Sequence, residues 1–367
     1  MNTLVYLATL ALVICTLPNP TACAFLYHDS STATLASVPF LTVSGFIDVY
    51  YAIAFAAPPA NTRAYTTQPL YHNDVSINFA LASLAYTTDC VRGRFAVHVG
   101  SYVEANYAAE PPAWRNIFEA NAGYRLQENL WIDAGIFTSH IGAESAISKD
   151  NWTYSRSIVA EYSPYYETGV KLTWTPTNAW LVSALVLNGW QLIRETNSEK
   201  SFGTHIQWKP TPHILANWST YLGNDQPDSS VRQMRYFSNL YTQIWCNDKL
   251  SLLLLFDIGM QEHTLHAAVK QWLGGLILAR YGINDSIACT VRCEYYSDPH
   301  GIIISTGTPN NFQTFGASVN IDITLTKHLL WRLEGRWFAS RDPIYPTAHA
   351  VARSFDGFIA TSLALSF

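Results

Sequence analysis

Charge is scarce in this chain. Only 13% of its 367 residues are Asp, Glu, Lys or Arg and the formal net charge is -5, so there is no basic surplus of the kind that holds nucleic acid. Long apolar runs are missing too. Past residue 24 none reaches the roughly 18 uncharged positions that a spanning helix needs, and the best, residues 250–256, meets Asp257 at once. A mean hydropathy of +0.05 is too apolar for disorder and too polar for a helical membrane bundle. Cysteine is sparse: setting aside Cys15 and Cys23 near the N-terminus, Cys90, Cys246, Cys289 and Cys293 match no zinc spacing. No Gly/Ser linker, charge block or second composition interrupts the chain. What remains is one β domain, either soluble or a membrane barrel.

Aromatic residues, by contrast, are plentiful at 14%, with 12 Trp and 21 Tyr, as expected where rings line two membrane interfaces. Residues 354–367 read with a period of two. Phe355, Gly357, Ile359, Thr361, Leu363, Leu365 and Phe367 share a lipid-suited face; Ser354, Asp356, Phe358, Ala360, Ser362, Ala364 and Ser366 share the face toward water. Short turn-like segments at 87–90, 127–129, 177–179, 210–212, 247–249, 284–286 and 326–328 alternate with longer connections near 56–71, 104–116, 139–164, 191–200, 224–231, 262–269, 298–310 and 341–352. That rhythm predicts an all-β transmembrane antiparallel barrel of about 16 strands, with short periplasmic turns and long extracellular loops. Trp174, Trp208, Trp331 and Tyr281 fall on apolar faces beside the short turns, whereas parity turns Trp131 and Trp180 inward. Cys289 and Cys293 share an apolar face.

Residues 1–24 read as a signal peptide, with an apolar core at 4–17, a break at Pro18 and Pro20, and Ala22-Cys23-Ala24 as a cleavage site, though no Lys or Arg precedes the core. Residues 25–42 are then an N-terminal periplasmic segment and 43–367 the barrel.

Several longer phrases point further: Val91-Arg92-Gly93-Arg94, residues 102–111, Ser139-His140-Ile141-Gly142 running into 144–152, Leu187-Asn188-Gly189-Trp190-Gln191, residues 294–299 and 301–310, and Leu333-Glu334-Gly335-Arg336. In these the chain resembles the OmpL-like β-barrel porins of Gram-negative bacteria, from about Gly45 onward. The resemblance implies an outer-membrane barrel acting as a pore, without a catalytic motif or a settled substrate. A chain closing on an aromatic residue, Phe367, is similar to the signal by which outer-membrane barrels are taken up by the barrel-assembly machinery.

By parity, the charges expected to face the lumen are Asp48, Arg92, Arg94, Glu119, Arg125, Asp133, Lys171, Asp257, Arg280, Arg292, Glu294, Arg332, Glu334 and Arg336, in company with Glu167, Lys209 and Asp322. The two signs nearly cancel, which predicts a hydrated mixed wall without strong selectivity for either. The longest connection, 139–164, carries Glu144, Lys149, Asp150, Arg156 and Glu161 among aromatic rings and is expected to fold inward as a constriction, with these five facing the solute. For a hydrolase, His140 with Glu144, or His300 with Asp298, are the only attractive pairs. The reading is a non-enzymatic pore for passive diffusion of small hydrophilic solutes, seated in outer-membrane lipid, with a homo-oligomer admitted and no cofactor or metal. The competing readings are a closed structural or adhesive barrel and, behind it, a barrel hydrolase.

Overall fold

The computed structural model describes residues 37–38, 40–263, 268–349 and 351–367; the signal peptide and most of the 25–42 segment lie outside the described residues. A short strand β1 (Ser37–Val38) precedes sixteen longer ones: β2 (Leu41–Ala54), β3 (Val75–Thr87), β4 (Val91–Val99), β5 (Ile117–Gln127), β6 (Leu130–Thr138), β7 (Tyr166–Thr177), β8 (Trp180–Leu187), β9 (Ser201–Thr211), β10 (Ile214–Asn224), β11 (Met234–Trp245), β12 (Leu250–Glu262), β13 (Val269–Gly282), β14 (Ile287–Asp298), β15 (Phe312–Thr326), β16 (Leu329–Ser340) and β17 (Phe355–Ser366). The barrel therefore starts at Leu41, two residues before the sequence pattern suggested. Each strand from β2 to β17 pairs antiparallel with the next.

Closure comes from β17 pairing with β2, in register from Phe358 opposite Ala54 to Ser366 opposite Phe46. Phe367 continues the seam, exchanging backbone hydrogen bonds of 2.8 and 3.0 Å with Gly45. Among β2 to β17 no edge strand is left, which is the condition for β-structure in lipid, where an unpaired N–H or C=O has no water to turn to.

The alternation predicted from sequence sets the faces. Ile47, Ile53, Phe256, Ile277, Val291, Val319, Leu333, Ile359 and Leu363 are exposed on the outside, as are Trp174, Trp208, Trp331 and Tyr281 near the short turns. Cys293 is exposed on this outer face and Cys289 is half-buried there. Trp131 points inward under the Arg92 guanidinium, 4.3 Å from its ring centre. Trp180 does not. It is exposed and stacks on Trp208 at 5.6 Å. Period two misleads in β8 because Leu181, Leu185 and Leu187 make its inner face as apolar as its outer one.

Inside, the wall is not uniformly wet. Phe237, Leu253, Leu255, Trp272, Leu276 and Leu278 turn inward and share one buried apolar cluster with Ile141, Ile158 and Val159 of the 139–165 connection, a cluster that runs from the long-loop end past mid-depth. A second cluster joins Phe46, Phe79, Phe118 and His98 on the wall to Tyr102 and Tyr107 of the 100–116 connection. Even the inner face of β17 is dry, with Asp356, Ala360 and Ser362 all buried. Water reaches inward-facing side chains chiefly in the half nearer the short turns, where Arg92, Arg94, Gln207 and Gln243 stay partly exposed.

Ile359→Arg places a charge in lipid near mid-depth and should cost about 2–4 kcal/mol, whereas Gln207→Arg on the wet inner face should be nearly neutral. Denaturant titration in vesicles, scored by heat-modifiable migration, checks the difference; equal losses would mean that the two faces are assigned wrongly.

A candidate constriction inside the barrel

The connection 139–165 enters the lumen at a fixed point. The His140 imidazole lies over Gly203, where a Cβ would come within 2.7 Å of the ring. Its Nδ1 is 2.9 Å from Glu167 and its Nε2 2.9 Å from the Thr220 carbonyl. Farther along, Val159 occupies the space that a side chain at Gly274 would fill, 2.3 Å from such a Cβ. Two glycines on the wall thus act as seats for two loop side chains.

Between these seats the segment has only a 3-10 turn (Ser148–Asp150) and a short helix (Ile158–Glu161), so most of its backbone groups lack a ladder. Charged wall residues take that place. Glu294 accepts from the Ile158 N–H at 2.6 Å, Glu334 from Ser155 N–H at 2.6 Å, and Asn320 from Tyr154 N–H at 3.0 Å. Arg292 donates to the Ser155 carbonyl and Arg336 to the Arg156 carbonyl, each at 2.7 Å. Arg332 donates to the carbonyls of Ser148 and Asn151. The same wall groups pair among themselves: Arg292 with Glu334 at 2.7 Å, Arg336 with Glu294 at 2.5 Å, Arg332 with Asp322 at 2.7 Å. Asp48 accepts from Ser148 and Asn78, both at 2.8 Å, and Asp257 accepts from Asn239.

These positions face inward as predicted, but Asp48, Asp257, Arg292, Glu294, Arg332, Glu334 and Arg336 are buried beneath the segment and do not face a hydrated lumen. Parity gives direction; it does not say what will be packed on top. Arg92, Arg94 and Arg280 do keep contact with water, and their partners are Asp133, Glu119 and Asp322. Lys171 lies on Phe137, 4.5 Å from the ring centre, and Arg125 stands opposite Trp131.

The five loop candidates divide. Asp150 is exposed and Lys149 partly so, paired at 3.1 Å. The other three are internal fastenings. Arg156 is sandwiched between Tyr102 and Tyr165, 4.2 Å from each ring, and also reaches Glu161 at 3.4 Å. Burial works against its charge, yet Tyr165, Glu161, Tyr102 and Glu144 together hold its pKa above the ordinary arginine value. Burial likewise pushes the Tyr154 and Tyr165 hydroxyls well above theirs. Glu144 accepts from the hydroxyl of Ser157 and from its N–H. Glu161 accepts from Thr67 N–H at 2.9 Å and from its hydroxyl at 2.6 Å.

Thr67 belongs to a second intruding segment, which sequence reasoning missed. The first long connection, residues 55–74, folds over the other, with Gln68 donating to the Tyr154 carbonyl at 3.0 Å and Arg63 lying on Phe358 at 4.1 Å. Residue 68 is fully buried, which only contact with another loop explains.

Neither hydrolase pair forms. His140 is committed to Glu167, and Asp298 accepts from the N–H groups of Ile302, Ile303 and Ile304, capping its own loop. Among the described residues no group of three or more His, Cys, Asp or Glu is placed to hold a metal ion.

A family model described as "Putative beta-barrel porin-2, OmpL-like" matches residues 40–367. No curated protein matches the sequence. Among solved structures the fold is similar to an anion-selective porin from Comamonas acidovorans, with a TM-score of 0.61 at 8% identity over 89% of this chain and 99% of that one. It is equally similar to the outer-membrane channel DcaP of Acinetobacter baumannii, at 0.61 and 10% identity over 89% and 97%. A trimer form of OmpT from Vibrio cholerae aligns at 0.55 and 8% identity over 89% and 99%.

Arg332→Met breaks a buried ion pair and strands two loop carbonyls, a loss of about 3–5 kcal/mol. Hydrogen exchange of peptides across 144–161 should be slow in the parent and faster by orders of magnitude in the variant. Unchanged exchange would mean that the wall does not hold the segment.

Proposed function

The chain belongs to the OmpL-like β-barrel porin family, and from that premise we propose that it is a passive diffusion pore whose aperture is set by the fastened 139–165 segment. It is an outer-membrane β-barrel, with the short turns on the periplasmic side and the long loops outside. The observation that carries the proposal is the insertion of one long connection into a closed barrel of sixteen long strands, tied to the wall through Arg292, Arg332 and Arg336. A barrel of that size encloses an aqueous lumen unless something enters it. Residues 139–165 and 55–74 enter this one. Lys149 and Asp150 are the loop charges left for a solute to meet.

The substrate class is small hydrophilic solutes, and the partners are outer-membrane lipid and, through the strand that ends in Phe367, the barrel-assembly machinery. The proposal extends to a homo-oligomer. OmpT, of the same fold, has been solved in a trimer form. Here a hollow of about 740 Å³ on the lipid face, around Gly275 and bordered by Trp208, Trp218 and Phe256, has room for side chains of a second copy.

The closed-barrel reading has one observation in its favour, the two apolar clusters packed inside the barrel. Planar-bilayer recording of the refolded protein separates the two. Discrete channels are expected in the parent, with conductance rising severalfold when residues 143–159 are excised. A folded, heat-modifiable parent that never conducts would leave the closed barrel standing.

A further inference from the structure

The lumen charges that cancel in number do not cancel in exposure. Three ion pairs reach the wet half of the lumen: Arg92–Asp133 at 2.5 Å, Arg94–Glu119 at 3.0 Å and Arg280–Asp322 at 2.6 Å. Their arginine side chains are 35, 37 and 29% exposed, their carboxylates only 7, 6 and 5%. In every case the cation stands at the water and the anion behind it.

For Arg92–Asp133 the cause is local geometry. Arg92 on β4 and Asp133 on β6 meet across β5 at Gly123, where a Cβ would fall 2.2 Å from Asp133 Oδ1, so the carboxylate lies flat on the sheet and the guanidinium reaches over it. Trp131 then supports the guanidinium from beside. Lys209 adds an exposed ammonium, 6.0 Å from the Trp245 ring centre, and among the described residues no carboxylate lies within ion-pair distance of it. Acids are less well placed to compete. Asp150 is exposed but already paired with Lys149. Asp89, Glu128, Asp248 and Asp285 sit on the short turns, exposed at the mouth, where Lys209, Lys249 and Lys327 are exposed too and offset them.

We infer that the periplasmic half of the lumen is an anion-binding vestibule for small carboxylates and phosphates, and that Arg92, Arg94 and Arg280 bias the proposed pore toward anions. The selectivity part rests on the pore reading; the binding part does not. A solute anion touching an exposed guanidinium is nearer to it than to the shielded carboxylate, and Coulomb attraction falls with distance, so the nearer pole decides. Guanidinium groups also match carboxylate and phosphate oxygens in planar, two-point fashion.

The test uses the full chain refolded in detergent and in planar bilayers. A variant combining Arg92→Gln, Asp133→Asn, Arg94→Gln and Glu119→Gln removes two charges of each sign, so net charge is unchanged and only the exposed asymmetry is lost. In a potassium chloride gradient the parent should favour chloride by about threefold or more, and the variant should fall toward no preference. Calorimetric titration with inorganic pyrophosphate should show affinity dropping about tenfold in the variant. If the variant does not reach a heat-modifiable fold, Lys209→Glu, at an exposed position, should lower both readouts in the same direction. Pyrophosphate binding that depends on the pairs without any current would keep the vestibule and remove the pore. Current without anion preference or pyrophosphate binding would keep the pore and overturn the vestibule, as would cation preference in the parent. Neither current nor binding would overturn both.

Discussion

A polypeptide segment that enters a barrel carries backbone N–H and C=O groups into a space without a ladder to receive them, and the rest of this molecule is arranged around meeting that demand. The wall answers with side chains. Glu294, Glu334 and Asn320 take three amides of the 139–165 segment, and Arg292, Arg332 and Arg336 take its carbonyls. Buried ion pairs contribute little to stability on their own account, because removing each charge from water costs several kcal/mol. Here the pairs have a second task. Each arginine that neutralises a wall acid also has donors left over for the loop, so the charge ladder and the loop position are one structure.

That double use depends on clearance. Arg92–Asp133, Arg280–Asp322, Arg292–Glu334 and Arg336–Glu294 all join strands that are not neighbours, passing over the strand between. The crossing strand offers something small where they pass: Gly123 under Asp133, and Gly316, where a Cβ would meet Glu294 Oε1 at 2.6 Å. A larger residue there would push the carboxylate off the sheet and force a different pairing. The same economy governs the apolar contacts, since Val159 needs the empty space at Gly274. Burying an Ile or Val side chain is worth roughly 1.5–3 kcal/mol, so Ile141, Ile158 and Val159 offset part of the entropy lost in ordering the segment that carries them.

Much of this was legible in the sequence, and the limit is instructive. The alternation of β17, the rhythm of short and long connections, and the inward direction of Arg92, Asp133, Arg292 or Glu334 follow from a period of two, a property of the strand alone. Whether an inward residue meets water depends on another part of the chain. Glu334 and Arg94 look alike by parity, yet one is sealed under Ser155 and the other is over a third exposed. Arg156 looked like a filter charge and is instead held between two tyrosine rings. Trp180 failed for a related reason: the inner leucines of β8 pack beneath the intruding segments, which erases the polar contrast that parity needs. Residues 55–74 gave no warning, because their one telling feature, a fully buried Gln68, exists only once Tyr154 is in place.

The result is a wall whose inward charges fall into two sets. Where the 139–165 segment packs, the wall charges are spent on the protein itself, with their hydrogen-bonding capacity directed at loop backbone. Nearer the short turns the segment still reaches Arg332 through the Ser148 and Asn151 carbonyls, but it leaves Arg92, Arg94 and Arg280 uncovered, and their ion pairs keep one end in water. At Arg92–Asp133 the sheet decides which end, since the short acid lies down against the strand at Gly123 and the long arginine must stand above it. By composition and parity Arg292, Arg332 and Arg336 are indistinguishable from Arg92, Arg94 and Arg280, yet the first three are buried and spend their donors on loop backbone while the second three keep one end in water, and Arg332 and Arg280 differ in this way even though both pair with Asp322.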